Sequence, residues 1–273
     1  MTDDQPFDKF ISLHLGEETL RAESLRRIAA DTDLRFHASV IEQGQNLLHV
    51  LIHDKPQTDN DDLTIRLLGI RLFNATAASL KLMLSGYYQN AAFQLRDLLE
   101  TSFLLDYFLT DRTPISQWFG SDKKLRKSKF GPLKVRIALD ERDGFTERKR
   151  NAHYSMLCEM AAHPTAMGFQ MLRPDGVDAQ CGPFIEEKAM GAVLAELAKI
   201  HLHAIMIFTC FVGSKTSTVA AAKIEFMQAQ GGWLTHFMAQ PSNAEVIAAL
   251  RRDLGVMRLA ERLKAQAEPA SGS

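Results

Sequence analysis

Residues 61–111 read DDLTIRLLGIRLFNATAASLKLMLSGYYQNAAFQLRDLLETSFLLDYFLTD, and this stretch decides the fold of the chain. On either side of Ser85 and Gly86, apolar residues recur at steps of three and four, the spacing that lines one face of a helix. A short link between two such helices returns the chain antiparallel. The stretch therefore predicts a helical hairpin at the centre of a bundle.

The second helix of this hairpin carries polar residues on a surface that is apolar nearly all round. Gln89, Arg96, Glu100 and Tyr107 follow one another at steps of seven, four and seven, which stacks them in one line. Asp106 lies close to the apolar side and is expected to be buried as well. Burying an unpaired charge costs several kcal/mol. Two interpretations follow: an Arg96–Glu100 ion pair that fixes helix register, or a cleft with this line as its charged floor.

Length and composition are those of an ordinary globular protein. The chain has 273 residues, enough to bury a substantial core. Hydrophobic residues make up 46% and charged residues 24%, and the net charge of −1 gives no global attraction to nucleic acid or membrane. We expect one helical domain over residues 1–266 and a disordered tail over residues 267–273.

Three features predict a cytoplasmic protein that does not bind membrane. The first residues, MTDDQPFDKF, are acidic and lack the apolar core of a signal peptide. The apolar run over residues 202–213 is too short to span a bilayer. The three cysteines, Cys158, Cys181 and Cys210, are far apart and odd in number, which fits a reducing compartment better than a disulfide framework.

A basic segment follows the hairpin. Residues 121–150 hold eleven Lys and Arg against five Asp and Glu, a net charge of plus six. Gly131 and Pro132 interrupt the segment, so we expect a linker with short helices. Two interpretations stay open: a solvated face, or a patch that contacts phosphate groups, with RNA as the candidate ligand.

The rest of the chain predicts more helix and one small β-hairpin. A third core helix from Thr146 must end at His163, because Pro164 disfavours helical geometry in the residue before it. A histidine at a helix C-terminus serves as a cap or as a general acid. Apolar and polar residues alternate over residues 168–184 on either side of the turn signal Pro174-Asp175-Gly176, and this pattern predicts a β-hairpin. Three further helices are predicted at 185–212, 217–238 and 243–266. The fold class is an all-α antiparallel bundle with a β-hairpin insertion.

No cofactor or metal site is predicted. Glu42, Asn46, His49 and His53 share one helix face, and two histidines four residues apart can chelate zinc. No matching ligand pair is obvious elsewhere in the sequence. We therefore interpret this group as a solvated helix face.

Two motifs resemble those of a known group of proteins. The string GYYQNAAFQLRDLLETSFLLDYF is followed about fifty residues later by YSMLCEMAAHP and then by GPF. This pattern of an Arg-x-x-x-Glu helix and a later helix from Tyr to His-Pro resembles a group of uncharacterised bacterial all-helical proteins, over roughly residues 62–184. The group has no agreed activity. The resemblance implies that Arg96, Glu100, Tyr154 and His163 belong together.

A looser similarity is to HEPN domains, helical proteins of bacterial toxin and phage-defence systems, many of them metal-independent ribonucleases. Their mark is an arginine followed four to six residues later by a histidine, and Arg148 and His153 have four residues between them. Lys149 departs from the polar residue that usually follows this arginine. The similarity implies a histidine base and an arginine that stabilises phosphorane charge, supplied by Arg148 with His153 or by Arg96 with His163.

The first functional prediction is a non-catalytic interaction or ligand-binding protein of bacterial origin, with a role in stress or phage defence. It binds another protein or a second copy of itself, or holds an anion with Arg96 in the cleft. Its predicted binding residues are Arg96, Glu100, Tyr107, Tyr154 and His163. The alternative is a HEPN-like metal-independent ribonuclease. The geometry around Arg96 distinguishes a structural role from a binding role. If Arg96 is fully paired with Glu100 and shielded from water, its role is structural. If Arg96, Tyr154 and His163 surround an open pocket, a ligand or substrate is the better explanation.

Overall fold

The computed structural model describes residues 8–54, 58–173, 176, 178–213 and 216–267. Within these ranges the chain is helical and contains no strand, which confirms the all-α prediction. In chain order the α-helices are Asp8–Ala30 (α1), Thr32–Asp54 (α2), Asn60–Leu84 (α3), Tyr88–Thr110 (α4), Pro114–Gly120 (α5), Lys123–Phe130 (α6), Pro132–Arg142 (α7), Lys149–Leu157 (α8), Ala166–Gln170 (α9), Glu187–Thr209 (α10), Ser217–Met238 (α11) and Ala244–Ala267 (α12). A π-helical turn, Cys158–Ala162, directly follows α8.

Helices α3 and α4 form a hairpin at the centre of the bundle. Arg71 pairs with Asp97, and Ser79 Oγ donates a hydrogen bond to the carbonyl of Ala91 at 3.1 Å. Rising residue numbers on one helix therefore meet falling numbers on the other, as in an antiparallel pair. The Asp59 side chain accepts from the amide of Asp62 at 2.7 Å and caps the start of α3. Helix α10 packs on this hairpin and on α2, and α11 packs on α2.

The turn between α3 and α4 is hydrogen-bonded to the segment that precedes α10. Gly86 has φ of +84°, a conformation that side-chain-bearing residues rarely adopt. A Cβ atom there would lie 2.4 Å from the carbonyl oxygen of Phe184. The Phe184 amide donates to the Gly86 carbonyl at 3.4 Å, and the Glu186 amide donates to the Tyr88 hydroxyl at 3.1 Å. These contacts place the start of α10 against the hairpin turn.

Replacing Gly86 with alanine is expected to lower the free energy of unfolding by roughly 2 kcal/mol or more, because it adds a collision with backbone to the cost of positive φ. The matched control is Gly144→Ala, since Gly144 has φ of +69° but no atom within 4 Å of an added Cβ. The control isolates the conformational cost, about 1 kcal/mol. Urea denaturation followed by circular dichroism measures the free energy of unfolding of both variants. Equal losses in the two variants would show that the Phe184 contact contributes nothing.

One histidine is completely enclosed in the core. His201 on α10 is 0% exposed, and its Nδ1 lies 3.2 Å from Thr76 Oγ1. Helix α2 approaches so closely at Gly44 that a Cβ there would lie 2.5 Å from His201 Nε2. Burial lowers the pKa of His201 to about 3, so the ring is neutral at physiological pH.

The predicted β-hairpin over residues 168–184 is wrong for the part of that range that the structure describes. Thr165 Oγ1 accepts from the amide of Gly168 at 2.9 Å, which begins the short helix α9. The chain beyond it is irregular, and the Gln180 amide donates to the Leu172 carbonyl at 3.0 Å. Pro174 and Asp175, where the turn was predicted, lie outside the described residues. The described residues of the two arms form no ladder of backbone hydrogen bonds, which a strand pair requires.

Other predicted boundaries differ from the structure in smaller ways. The third core helix begins at Lys149 instead of Thr146, and its last turn is π-helical before the chain leaves the helix at His163. The basic segment 121–150 contains α6 and α7, and α7 packs on α4. The predicted tail, residues 267–273, lies outside the described residues apart from Ala267, the last residue of α12.

Two helices, α3 and α10, are long and apolar enough to cross a membrane when only length and composition are considered. Core helices of globular domains meet the same criteria, and 56% of the most apolar window of α10 is buried inside the structure. These two helices are weak support for a membrane location, and the cytoplasmic location stays a prediction.

Candidate functional site

Three of the residues predicted to belong together meet between α4 and α8. Arg96 Nε donates to Glu100 Oε1 at 3.0 Å and to the hydroxyl of Tyr154 at 3.2 Å. The Arg96 and Glu100 side chains are 29% and 27% exposed, so this ion pair is only partly shielded from solvent. The hydrogen bond from Arg96 to Tyr154 links α8 to this pair on α4.

Tyr154 lies between two guanidinium groups. The Arg96 guanidinium carbon is 5.4 Å from the centre of the Tyr154 ring, and that of Arg136 is 3.8 Å away. These distances are typical of cation–π contacts. Burial, together with the hydrogen bond to Glu100, raises the pKa of Tyr154 to about 12, so the phenol keeps its proton at neutral pH.

Arg136 on α7 is the most unusual charge in the described chain, and sequence reasoning did not single it out. It is 4% exposed, and its Nη2 donates to Asn151 Oδ1 at 3.2 Å. Its Nε and Nη1 have no hydrogen-bond partner among the described residues, and it forms no ion pair with them. Burial lowers the pKa of the Arg136 guanidinium. Because Glu100 is already paired with Arg96, the cluster holds two buried or half-buried cations and one carboxylate.

Arg136 and Glu100 line a cavity of about 450 Å³ between α3, α4, α5, α6 and α7. Most of its wall is apolar, with aromatic rings from three helices: Phe103, Trp118 and Phe130. Its charged residues are Arg71, Asp97, Glu100, Lys123, Arg126, Lys127 and Arg136.

The charges around this cavity do not balance. Asp97 is paired with Arg71, and Glu100 is paired with Arg96. The remaining cations, on α6 and α7, make no ion pair with any described residue. Arg126 donates to the carbonyl of Ser121 at 2.8 Å, which positions the guanidinium without neutralising it. The cavity therefore combines an apolar wall with a surplus of positive charge. We call it the cationic cavity.

Two predicted binding residues lie apart from Arg96. The Tyr107 ring packs edge-on against Phe130 with the ring centres 6.4 Å apart, so it supports the wall of the cationic cavity from behind. His163 is exposed after the π-helical turn, and its side chain makes no hydrogen bond or ion pair within the described ranges. The structure thus joins Arg96, Glu100 and Tyr154, and it does not bring His163 or Tyr107 to them.

The two Arg–His pairs proposed for RNA cleavage do not converge within one chain. His153 Nε2 is bonded to Glu196 on α10. Arg148 is exposed just before α8 in the left-handed conformation, with φ of +50°, and its side chain makes no hydrogen bond or ion pair with any described residue. Arg96 and His163 lie apart, as described above. Metal-independent RNA cleavage stays a prediction that needs a second chain to complete the pair.

Several arginines of the basic segment have structural partners. Arg142 donates to both carboxylate oxygens of Asp106, at 2.8 and 3.2 Å, which explains how this buried aspartate is tolerated. Arg142 Nε also donates to Asp143 at 2.7 Å. Arg150 continues the chain of charges by bonding Asp143 and, at 2.7 Å, Asp140. The interpretation of the segment as a solvated face therefore does not hold for these two arginines.

Metal ligands and thiols add no second site in the described residues. No group of three or more His, Cys, Asp or Glu is placed there to hold a metal ion. The His49 and His53 rings are 4.2 Å apart, and His53 Nδ1 bonds the carbonyl of His49 at 2.8 Å. The three cysteines are free.

The fold and the site define an all-α helical bundle with a cationic cavity beside a half-buried tyrosine–arginine cluster. Comparisons with protein-family models, curated proteins and solved structures find no match for this chain. The two family resemblances consequently stay predictions. The function has to be argued from the geometry of the site.

Proposed function

We propose that this chain is a non-catalytic binding protein that takes a small organic anion into the cationic cavity. The observation that carries the proposal is Arg136, a buried cation on the cavity wall with no ion-pair partner among the described residues. Burying a guanidinium costs free energy that one hydrogen bond to Asn151 and one contact with the Tyr154 ring offset only in part. A bound carboxylate, sulfonate or phosphate on the cavity side of Arg136 supplies the missing negative charge.

The rest of the cavity supports the same class of ligand. A volume of about 450 Å³ falls within the range of small-molecule sites, which are mostly apolar with a few charged groups that fix orientation. Arg126 and Lys127 lie three and four residues after Lys123 on α6, so both are on the same side of the helix as Lys123. A ligand with an anionic end and an apolar body matches a cavity that has cations on α6 and an apolar wall.

The predicted protein partner or second copy remains a further proposal. Apolar side chains are exposed along α1 and α12, among them Ile11 and Leu15 on α1 and Val256, Leu259 and Leu263 on α12. Such faces are typical of contacts with another helix.

A thermal-shift panel tests anion binding. Benzoate, naphthalenesulfonate, inorganic phosphate and adenosine phosphates are each added to the wild type and to Lys123→Glu/Lys127→Glu. At one hundred times Kd, a ligand adds about 2.7 kcal/mol to the folded state, so at least one anion should raise Tm clearly in the wild type. The charge-reversed variant should lose this shift.

The matched control is Lys129→Glu/Lys134→Glu, which makes the same change in net charge on exposed lysines that do not line the cavity. The control should keep the shift. Recovery of the ligand chemically unchanged supports binding without turnover. The proposal is contradicted if no anion raises Tm, or if the control loses the shift to the same extent.

A further inference from the structure

Resting on the proposed function, we infer that the ligand of the cationic cavity is a free nucleoside phosphate with two or more phosphate groups. The first argument is the number of charges. Four cations on the cavity wall, Lys123, Arg126, Lys127 and Arg136, have no acidic partner among the described residues. A monocarboxylate brings a single negative charge, whereas a nucleoside di- or triphosphate brings about three or four at neutral pH.

The second argument is the aromatic wall. The Trp118 ring is held edge-on by Phe108 with ring centres 5.9 Å apart, and the same Phe108 holds Phe130 at 6.4 Å. The two rings are therefore fixed in place, and both line the cavity. Stacking of a nucleobase on an aromatic side chain contributes about 1–3 kcal/mol. An inorganic polyphosphate matches the charge but leaves the half-buried Trp118 ring without a stacking partner.

The third argument is the space around Trp118. A second cavity of about 330 Å³ shares Leu68, Arg71, Trp118 and Arg126 with the first. Trp118 therefore borders both cavities, which together have room for a base and sugar beside a phosphate chain. A fatty acid fills apolar space equally well, but it leaves three of the four surplus cations without a counter-charge.

Tryptophan fluorescence tests the inference, because the chain has only two tryptophans and Trp118 is one of them. Trp233→Phe leaves Trp118 as the sole reporter. ADP and ATP should quench Trp118 and bind at least about tenfold more tightly than adenosine or pyrophosphate, since each of these lacks one half of the recognised chemistry. Calorimetry on the wild type gives the same affinities without relying on the variant.

The outcomes separate this inference from the proposed function. Binding of naphthalenesulfonate or benzoate without binding of ADP or ATP overturns the nucleotide inference and keeps the anion site. Binding of no anion overturns both. A single-stranded RNA oligonucleotide that binds more tightly than ATP overturns the free nucleotide in favour of RNA. Lys123→Met/Lys127→Met should weaken ATP at least tenfold more than AMP, because these lysines meet the additional phosphates; equal weakening counts against the inference.

Discussion

Arg136→Met is expected to weaken anion binding strongly and to leave the ligand-free protein as stable as the wild type or more so. Methionine keeps an apolar side chain of similar length beside Tyr154. Replacing a buried ion pair by apolar groups of similar volume is often neutral, or stabilises by about 1–4 kcal/mol, and Arg136 has no ion pair among the described residues to lose. Loss of the buried charge should weaken the ligand by roughly 100-fold, about 2.7 kcal/mol. Urea denaturation measures the stability, and calorimetry measures the affinity.

The opposite pattern is expected for Arg142→Met. Arg142 is the partner of Asp106, whose side chain is 8% exposed, so its removal leaves a buried carboxylate without its cation. That loss should cost roughly 1–3 kcal/mol of unfolding free energy and leave ligand affinity unchanged. If Arg136→Met destabilises the fold as Arg142→Met does and binding persists, then Arg136 is a structural residue and the proposal fails.

Stability is expected to fall steeply as the pH drops below about 6.5, the pKa of a histidine in the unfolded chain. His201 has its pKa lowered to about 3 in the folded protein by burial. As the pH falls below 6.5, the unfolded chain therefore binds a proton at His201 that the folded protein does not bind. Each such histidine removes about 1.4 kcal/mol per pH unit, so His201 alone should cost about 2 kcal/mol between pH 6.5 and pH 5. Burial also lowers the pKa of His37 and of His203, which adds to the effect.

The urea midpoint at pH 7 and pH 5 tests this expectation. His201→Met should flatten the dependence on pH, whereas His163→Gln, at an exposed position, should leave it unchanged. Trp233 offers a local probe, because its Nε1 donates to His37 Nδ1 at 2.9 Å and a tryptophan can only donate. Protonation of His37 breaks that bond and should change Trp233 fluorescence. Equal stability at the two pH values would show that the core accepts the charge.

Local patterns predicted those parts of the site that depend on one helix. The steps of three and four between apolar residues predicted the apolar faces of α3 and α4. The spacing of Arg96 and Glu100 predicted an ion pair between them as one of two interpretations. Tyr154 joins this pair because α8 crosses α4, which the motif resemblance implied and residue spacing did not. The turn at Gly86 was also visible in the sequence, but its contact with Phe184 is a tertiary feature.

The residues that sequence reasoning missed or misplaced depend on packing between helices. Arg136 was one of eleven cations in a segment interpreted by its total charge. Its signal was its position beside Val135 and three residues before Leu139, on the face that α7 buries. His163 was grouped with Arg96, but the wider π-helical turn changes the direction of the residues that follow it.

The most direct measurement is a crystal structure of the protein soaked with tungstate, a tetrahedral oxyanion whose anomalous scattering marks its position. We predict an anomalous peak inside the cationic cavity, within hydrogen-bond distance of Arg136 and accompanied by cations of α6. The same soak of Arg136→Met should lack that peak. Peaks confined to the outer surface, with Arg136 surrounded only by water, would contradict the claim that this cavity holds an anion.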